Sequence, residues 1–386
     1  MIAYNSIWLR NINTRDQAEE AFQQNYLNKE ECEAIKTNYL VGFYSTNLFI
    51  RIGLFILTTV ILLFGFGLLS LLFLDSFDRA IGGMAIFFAL ISYAALEYMV
   101  REKKHFKSGV DDALLWISAC SFFGGVSFIT NAGDLANCTI VFFIALYGSL
   151  RFGDRLMSLV LYISLLGIIF FACIKMGASA KQVIPFVMMA ISVIVYGLVK
   201  KTMSKEIIRP YYNCLQIISI GALLSFYVAG NYFVVRELSN AMFDLNLAKN
   251  GSIPLGWLFW LFTFVIPFFY IALGISKKDI VLIRVGLLLV AAIVFTVRNY
   301  YSLASIEVIM TESGIVLLSI SYGLTRYLKI PRFGFTREQL AFAGAKGPIQ
   351  IESILVAETF TSPVVSTDGS KFGGGSFGGG GASSDF

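Results

Sequence analysis

Residues 48 to 74 read LFIRIGLFILTTVILLFGFGLLSLLFL, and Arg51 is the single charge in the run. A helix needs roughly 20 apolar residues to cross a hydrocarbon core about 30 Å thick, and this run exceeds that. It lacks the in-and-out alternation of a barrel strand, so it reads as a transmembrane helix. The same pattern recurs along the chain, with polar breaks isolating further spans at 80–100, 113–130, 135–150, 156–174, 182–199, 212–235, 253–276, 280–298 and 302–328. The fold class expected is therefore all-α, a polytopic bundle of about ten transmembrane helices. The span at 135–150 is short for a full crossing, and a re-entrant segment there would invert every later orientation.

Composition agrees. Of 386 residues, 57% are hydrophobic and 14% charged. A water-facing surface takes about a quarter of a chain as charge, so lipid must replace the missing solvent. The net charge of +5 is not a nucleic-acid footprint, because the basic residues sit in short loops between apolar runs. With the N-terminus in the cytoplasm, loops 101–112, 151–155, 200–209 and 276–279 carry twelve Lys and Arg. The opposite loops carry six, at Arg79, Lys175, Lys181, Arg236, Lys249 and Arg298. This bias places both termini in the cytoplasm.

Three segments follow. Residues 1–46 are polar, with capping-box spacings at Thr14/Gln17 and Asn28/Glu31 that predict a small helical hairpin. Ala18, Ala21 and Phe22 on its first helix, and Cys32, Ile35 and Tyr39 on its second, give each a narrow apolar face. Residues 47–328 form the bundle. Residues 329–386 form a cytoplasmic tail, expected to be disordered from about 364, where glycine dominates FGGGSFGGGGASSDF.

That tail resembles the glycine-rich C-termini of bacterial membrane-anchored proteins, including those with a TPM domain, although no TPM domain is present. The polar hairpin followed by many spans resembles the uncharacterised bacterial membrane proteins grouped under the DUF2157 name. These resemblances imply a bacterial inner (cytoplasmic) membrane protein and carry over no activity.

Ionisable groups in lipid cost about 2.5 to 3.5 kcal/mol on insertion scales, which singles out the few that occur here. Glu312 and Glu307 lie in the last span, in SIEVIMTESGIV, and Arg284 lies about a turn inside the ninth. If the last span begins at 302, Glu312 sits near mid-membrane and needs a partner or a proton. If it begins nearer 308, both glutamates lie at an interface. Glu97, like Arg51, is close enough to a helix end to reach water. Asn231, in the seventh span, suits a hydrogen bond between helices.

Gly65, Gly67, Gly82, Gly83, Gly124 and Gly125 suggest close helix approaches, and Pro267 a kink in the eighth span or a broken-helix ion site. Trp257, Trp260, Tyr300, Tyr301 and Tyr327 form an interfacial aromatic belt. His105 is the only histidine and sits among lysines, which reads as a solvated charge cluster. No Ser/His/Asp or Cys/His arrangement is evident, and the five cysteines are dispersed.

Catalytic, cofactor and metal sites are therefore not expected. The expected partners are membrane lipids and a small solute or a protein, with no nucleic acid. The leading function is the transport or gating of a small solute. The alternative is a scaffold recruiting cytoplasmic partners through hairpin and tail, and a membrane-embedded enzyme comes last.

Overall fold

The structure is a computed structural model that describes residues 2–23, 25–71, 77–243, 253 and 255–300, with isolated helical positions between 311 and 326. Side chains at 77–79, 178–182, 206–207, 243 and 299 fall outside the description. Among the described residues there are twelve α-helices and no strand. Nine of the helices are long and apolar enough to cross a membrane. The tenth expected span, 302–328, lies outside the described residues apart from those isolated positions, and the tail lies outside them entirely.

Helices α1 (Ser6–Gln23) and α2 (Lys29–Asn38) form the hairpin. Their apolar stripes meet as expected, with Ala18 and Cys32 buried and the Cys32 thiol 3.8 Å from the Ala18 carbonyl. A Lys36–Glu19 ion pair flanks them. The Asn28/Glu31 capping box is formed, Glu31 accepting from the Asn28 N–H at 2.8 Å. The Thr14/Gln17 box is not. Asn5 already caps the helix, its Oδ1 accepting from the Ile7 N–H at 2.9 Å, so Thr14 is interior and donates back to the Arg10 carbonyl.

The spans are α3 (Leu48–Leu71), α4 (Phe77–Arg101), α5 (Val110–Thr130), α6 (Asp134–Phe152), α7 (Arg155–Lys175), α8 (Ala178–Met203), α9 (Tyr212–Gly230), α11 (Gly256–Lys277) and α12 (Ile280–Tyr300), with the short α10 (Tyr232–Phe243) after α9. The doubtful fourth crossing is a full helix of 19 residues, about 28 Å long, and matches the hydrocarbon thickness. Connections of two or three residues follow α5, α6, α7 and α11, whereas eight residues join α4 to α5 and α8 to α9. Asn131, Gly153 and Lys278 end α5, α6 and α11 in the left-handed conformation that stops a helix abruptly.

Four antiparallel pairs result, α4 with α5, α6 with α7, α8 with α9, and α11 with α12. Helix α9 joins the last three pairs, packing on α7, α11 and α12, and α4/α5 meets α6/α7 far more sparsely than the two helices of either pair meet each other. The main core lies among α8, α9, α11 and α12 around Met189, Leu223, Tyr227, Ile266, Tyr270 and Leu289. A smaller core, Leu96, Val100, Leu114, Leu115, Phe152 and Met157, ties α4/α5 to α6/α7 where those helices approach α1. We call this the hairpin end.

Two of the six expected glycine contacts are close. A Cβ on Gly125 would lie 2.7 Å from the Gly82 carbonyl oxygen, and one on Gly82 would strike Ile129. Gly67, Gly83 and Gly124 face open space, and Gly65 has only an ordinary contact, because they lie on helix faces turned away from neighbours. The α11/α12 contact uses Gly274 and Gly286 instead, where a Gly286 Cβ would approach the Pro267 carbonyl at 3.1 Å. Helix α11 runs unbroken through Pro267, so the discontinuity in the bundle lies elsewhere, at Asn231.

Candidate functional site

The sparse seam between α4/α5 and α6/α7 is bridged by side chains. Glu97, on the last full turn of α4, takes a fork from Arg151, on the last turn of α6. Arg151 Nε reaches Oε1 and Nη2 reaches Oε2, both at 3.0 Å. Arg101 adds a contact at 2.8 Å from the same helix, and the Tyr93 hydroxyl donates to Oε1 at 2.6 Å. Because Tyr93 spends its proton on Glu97, the Tyr147 hydroxyl donates to Tyr93, adding a second bridge between α4 and α6. The side chains of Glu97 and Arg151 are 15% and 20% exposed. Glu97 therefore does not extend freely to water. It is fixed by a planar, bidentate partner, the geometry in which Arg pairs most strongly.

One turn further from the hairpin end, a cleft of about 360 Å³ opens between the two helical pairs. Its wall is apolar, from residues such as Ala89, Leu115, Ala119, Phe122 and Ile144, with the hydroxyls of Tyr93, Tyr147 and Ser118 as its polar groups. Leu90, Phe143 and Tyr147 on its rim are exposed. Phe152 and Met157, from the smaller core, close its foot.

Asn231 marks the second polar centre. Helix α9 stops at Gly230 and α10 starts at Tyr232, with Asn231 extended between them (φ −76°, ψ 128°). A helix break in an apolar setting is tolerated only if the freed backbone groups find partners. The Tyr232 N–H donates to Thr263 Oγ1 at 3.0 Å. The next two N–H groups, of Phe233 and Val234, reach Asn231 Oδ1 at 3.0 and 3.3 Å. Asn231 Nδ2 donates to Tyr227 Oη and to Thr296 Oγ1, both at 3.0 Å. Both amide protons and the carbonyl oxygen are thus used internally, so Asn231 caps α10 and binds it to α12 without capacity left for a solute. A hydroxyl group of three, Tyr162, Ser192 and Ser225, links α7, α8 and α9 nearby.

Arg284 lies on the exposed face of α12, about a turn from its start. Glu307 and Glu312 fall outside the described residues, as do Tyr301 and Tyr327. Of the expected belt, Trp257 is exposed, whereas Trp260 stacks on Tyr232 and Tyr300 lies edge-on to both. Arg236, counted above as a loop charge, is buried in α10 with its guanidinium over the Tyr300 ring at 5.3 Å.

The loop before α5 also departs from expectation. Arg51 bonds Asp112, with Nε at 2.8 Å, fastening α3 to α5. His105 is half-buried, not solvated, and burial lowers its basicity. Its Nδ1 lies 2.7 Å from Ser108 Oγ, which donates to Asp111 Oδ1 at 2.9 Å. A Ser/His/Asp contact therefore exists, but with serine in the middle. The Ser108 hydroxyl is fully buried and its proton is held by the carboxylate, so the imidazole cannot act as its base as in a catalytic triad. The Ser108 N–H also donates to Asp111 Oδ1 and the Lys107 N–H to its Oδ2, both at 2.8 Å, so the carboxylate ties the loop to the first turn of α5. Among the described residues no group of three His, Cys, Asp or Glu side chains gathers as metal ligands would.

The chain matches no family model, no curated protein and no solved structure. It is an integral, multi-pass membrane protein by the nine apolar helices among its described residues.

Proposed function

We propose that the protein moves or gates a small solute, with the cleft between α4/α5 and α6/α7 as its passage and Glu97–Arg151 as its latch. The observation that carries this reading is the bridge itself. Two helical pairs with sparse backbone contact are joined, besides the smaller core at the hairpin end and a Ser127–Asn137 hydrogen bond at the other, by one charged fork and one tyrosine pair at the foot of a cleft. A seam held by few strong bonds has two discrete arrangements, bonded and parted, which a gate requires. The apolar wall with hydroxyls near its foot suits an amphiphilic solute better than an ion. The positive-inside bias supports placing the latch at the cytoplasmic end.

The scaffold alternative draws less support, because the N-terminal segment is engaged with the bundle. The Ala3 N–H donates to the Arg151 carbonyl at 2.7 Å, and Tyr4, Trp8, Phe43 and Phe106 interlock over the loop before α5.

The test places Ser118→Cys in a background whose five native cysteines are replaced by alanine, with the protein in sealed vesicles. A membrane-impermeant thiol reagent should label it from the far side only while the latch is intact. With Arg151→Ala it should label from the hairpin side as well. No labelling from either side in both backgrounds would make the cleft a lipid-filled groove and refute the passage.

A further inference from the structure

A larger cavity, of about 460 Å³, lies at the hairpin end between α1 and the bundle, within the size range of small-molecule sites. Its two walls differ in charge. The bundle side presents Lys107, Arg155, Lys205 and Arg209, whereas α1 presents Asn13, Asp16, Gln17 and Glu20. Arg155, Lys205 and Arg209 make no ion pair among the described residues. Arg155 Nε is buried with no hydrogen-bond partner. A guanidinium whose Nε has given up water without replacement calls for an explanation, and a planar oxyanion ligand provides one.

A simple anion would leave the carboxylates of α1 facing it, and a simple cation would face the four basic residues. The occupant that satisfies both walls carries an oxyanion at one end and hydrogen-bond donors at the other. Tyr4, also on the wall, stays protonated because burial and the nearby Asp111, Asp112 and Asp154 raise its pKa, so its hydroxyl remains a donor. We propose that this cavity binds a phosphate ester bearing hydroxyl or amine groups, with the phosphate on the Arg155 wall and the donors on α1.

That chemistry is shared by a soluble phosphorylated metabolite and by a phosphoethanolamine lipid headgroup, and the experiment separates them. The full chain is placed in nanodiscs of phosphatidylcholine and titrated with ADP and with glycerol 3-phosphate, thermal unfolding and equilibrium binding being followed. A parallel set of nanodiscs includes phosphatidylethanolamine without soluble probe. The expected result is saturable stabilisation in one arm, weakened about tenfold or more by Arg155→Gln, the loss of a charge-assisted bond. Lys205→Gln with Arg209→Gln, at exposed positions where folding is unaffected, should weaken it as well. A response to soluble probes assigns the site to a free phosphate ester, and one confined to phosphatidylethanolamine assigns it to a headgroup. No stabilisation in either arm, or stabilisation that the Lys205/Arg209 variant leaves unchanged, overturns the proposal.

Discussion

Severing the Glu97–Arg151 fork should loosen the seam by a predictable amount. Arg151→Met removes the charge and keeps the length of the side chain. Two unit charges at 4 Å attract by about 4 kcal/mol at an effective dielectric of 20, and desolvation of both groups offsets part of this. Removing one partner of a buried pair costs about 3 to 5 kcal/mol because the other charge is stranded. Here Glu97 keeps the Tyr93 bond and the Arg101 contact. Arg101 is 63% exposed, so water screens it and its compensation is at most about 1 kcal/mol. The expected loss for Arg151→Met is therefore about 2 to 3 kcal/mol, with a similar value for Glu97→Gln. The double variant strands no charge and should be only about 1 to 2 kcal/mol less stable than wild type, leaving a coupling energy of about 3 to 4 kcal/mol. Reversible unfolding in mixed micelles, followed by far-ultraviolet circular dichroism, measures all four proteins. A coupling below about 0.5 kcal/mol would mean that the pair does not hold the seam, and the latch would have to be abandoned.

Two further outcomes follow from the other polar centres. Asn231→Ala removes the cap of α10, worth about 1 kcal/mol, and two buried hydrogen bonds of about 1 kcal/mol each. The same unfolding assay should show a loss near 3 kcal/mol, with α10 amides exchanging faster than those of α9; unaltered α10 exchange would contradict the cap. His105 carries a pH dependence, since its pKa lies below the ordinary imidazole value of about 6.5. Between the two values the unfolded chain binds the proton first, so this stability is complete above about pH 6.5 and is lost as pH falls through the folded pKa. Asp154 acts in the opposite sense at lower pH, because burial raises its pKa and the folded protein takes the proton first. His105→Gln should flatten the mildly acidic part of the melting curve, and an identical slope in both proteins would assign it to another group.

The nine described spans were legible in the sequence because lipid selects long apolar runs whatever they pack against. The hairpin was legible because its caps and stripes are local, although the Thr14 spacing misled once Asn5 offered an earlier cap. The latch was not legible. Glu97 stood out as a carboxylate in an apolar run, but Arg151, 54 residues on, read as a loop charge, and periodicity reveals a helix's faces without revealing its neighbour. The break at Asn231 did leave a local signal. Gly230 followed by Asn231 is a helix-ending residue followed by a helix-capping one, within an apolar stretch long enough to hide it.

Depth in the membrane therefore ranks these residues poorly, and the hydrogen-bond inventory ranks them better. Asn231 is buried, but its amide is fully used by the protein, so it holds structure and offers a solute nothing. Arg155 stands at a helix end where a sequence reading sees only a topology signal, yet it keeps a buried donor without a partner. Glu97 lies between the two. Tyr93 and Arg101 from its own helix satisfy it in part, but the bidentate fork comes from a different helical pair, so completing its bonding is the same event as closing the seam. A polar group in lipid becomes a candidate for function when its bonding is incomplete, or when completing it requires two bodies to meet.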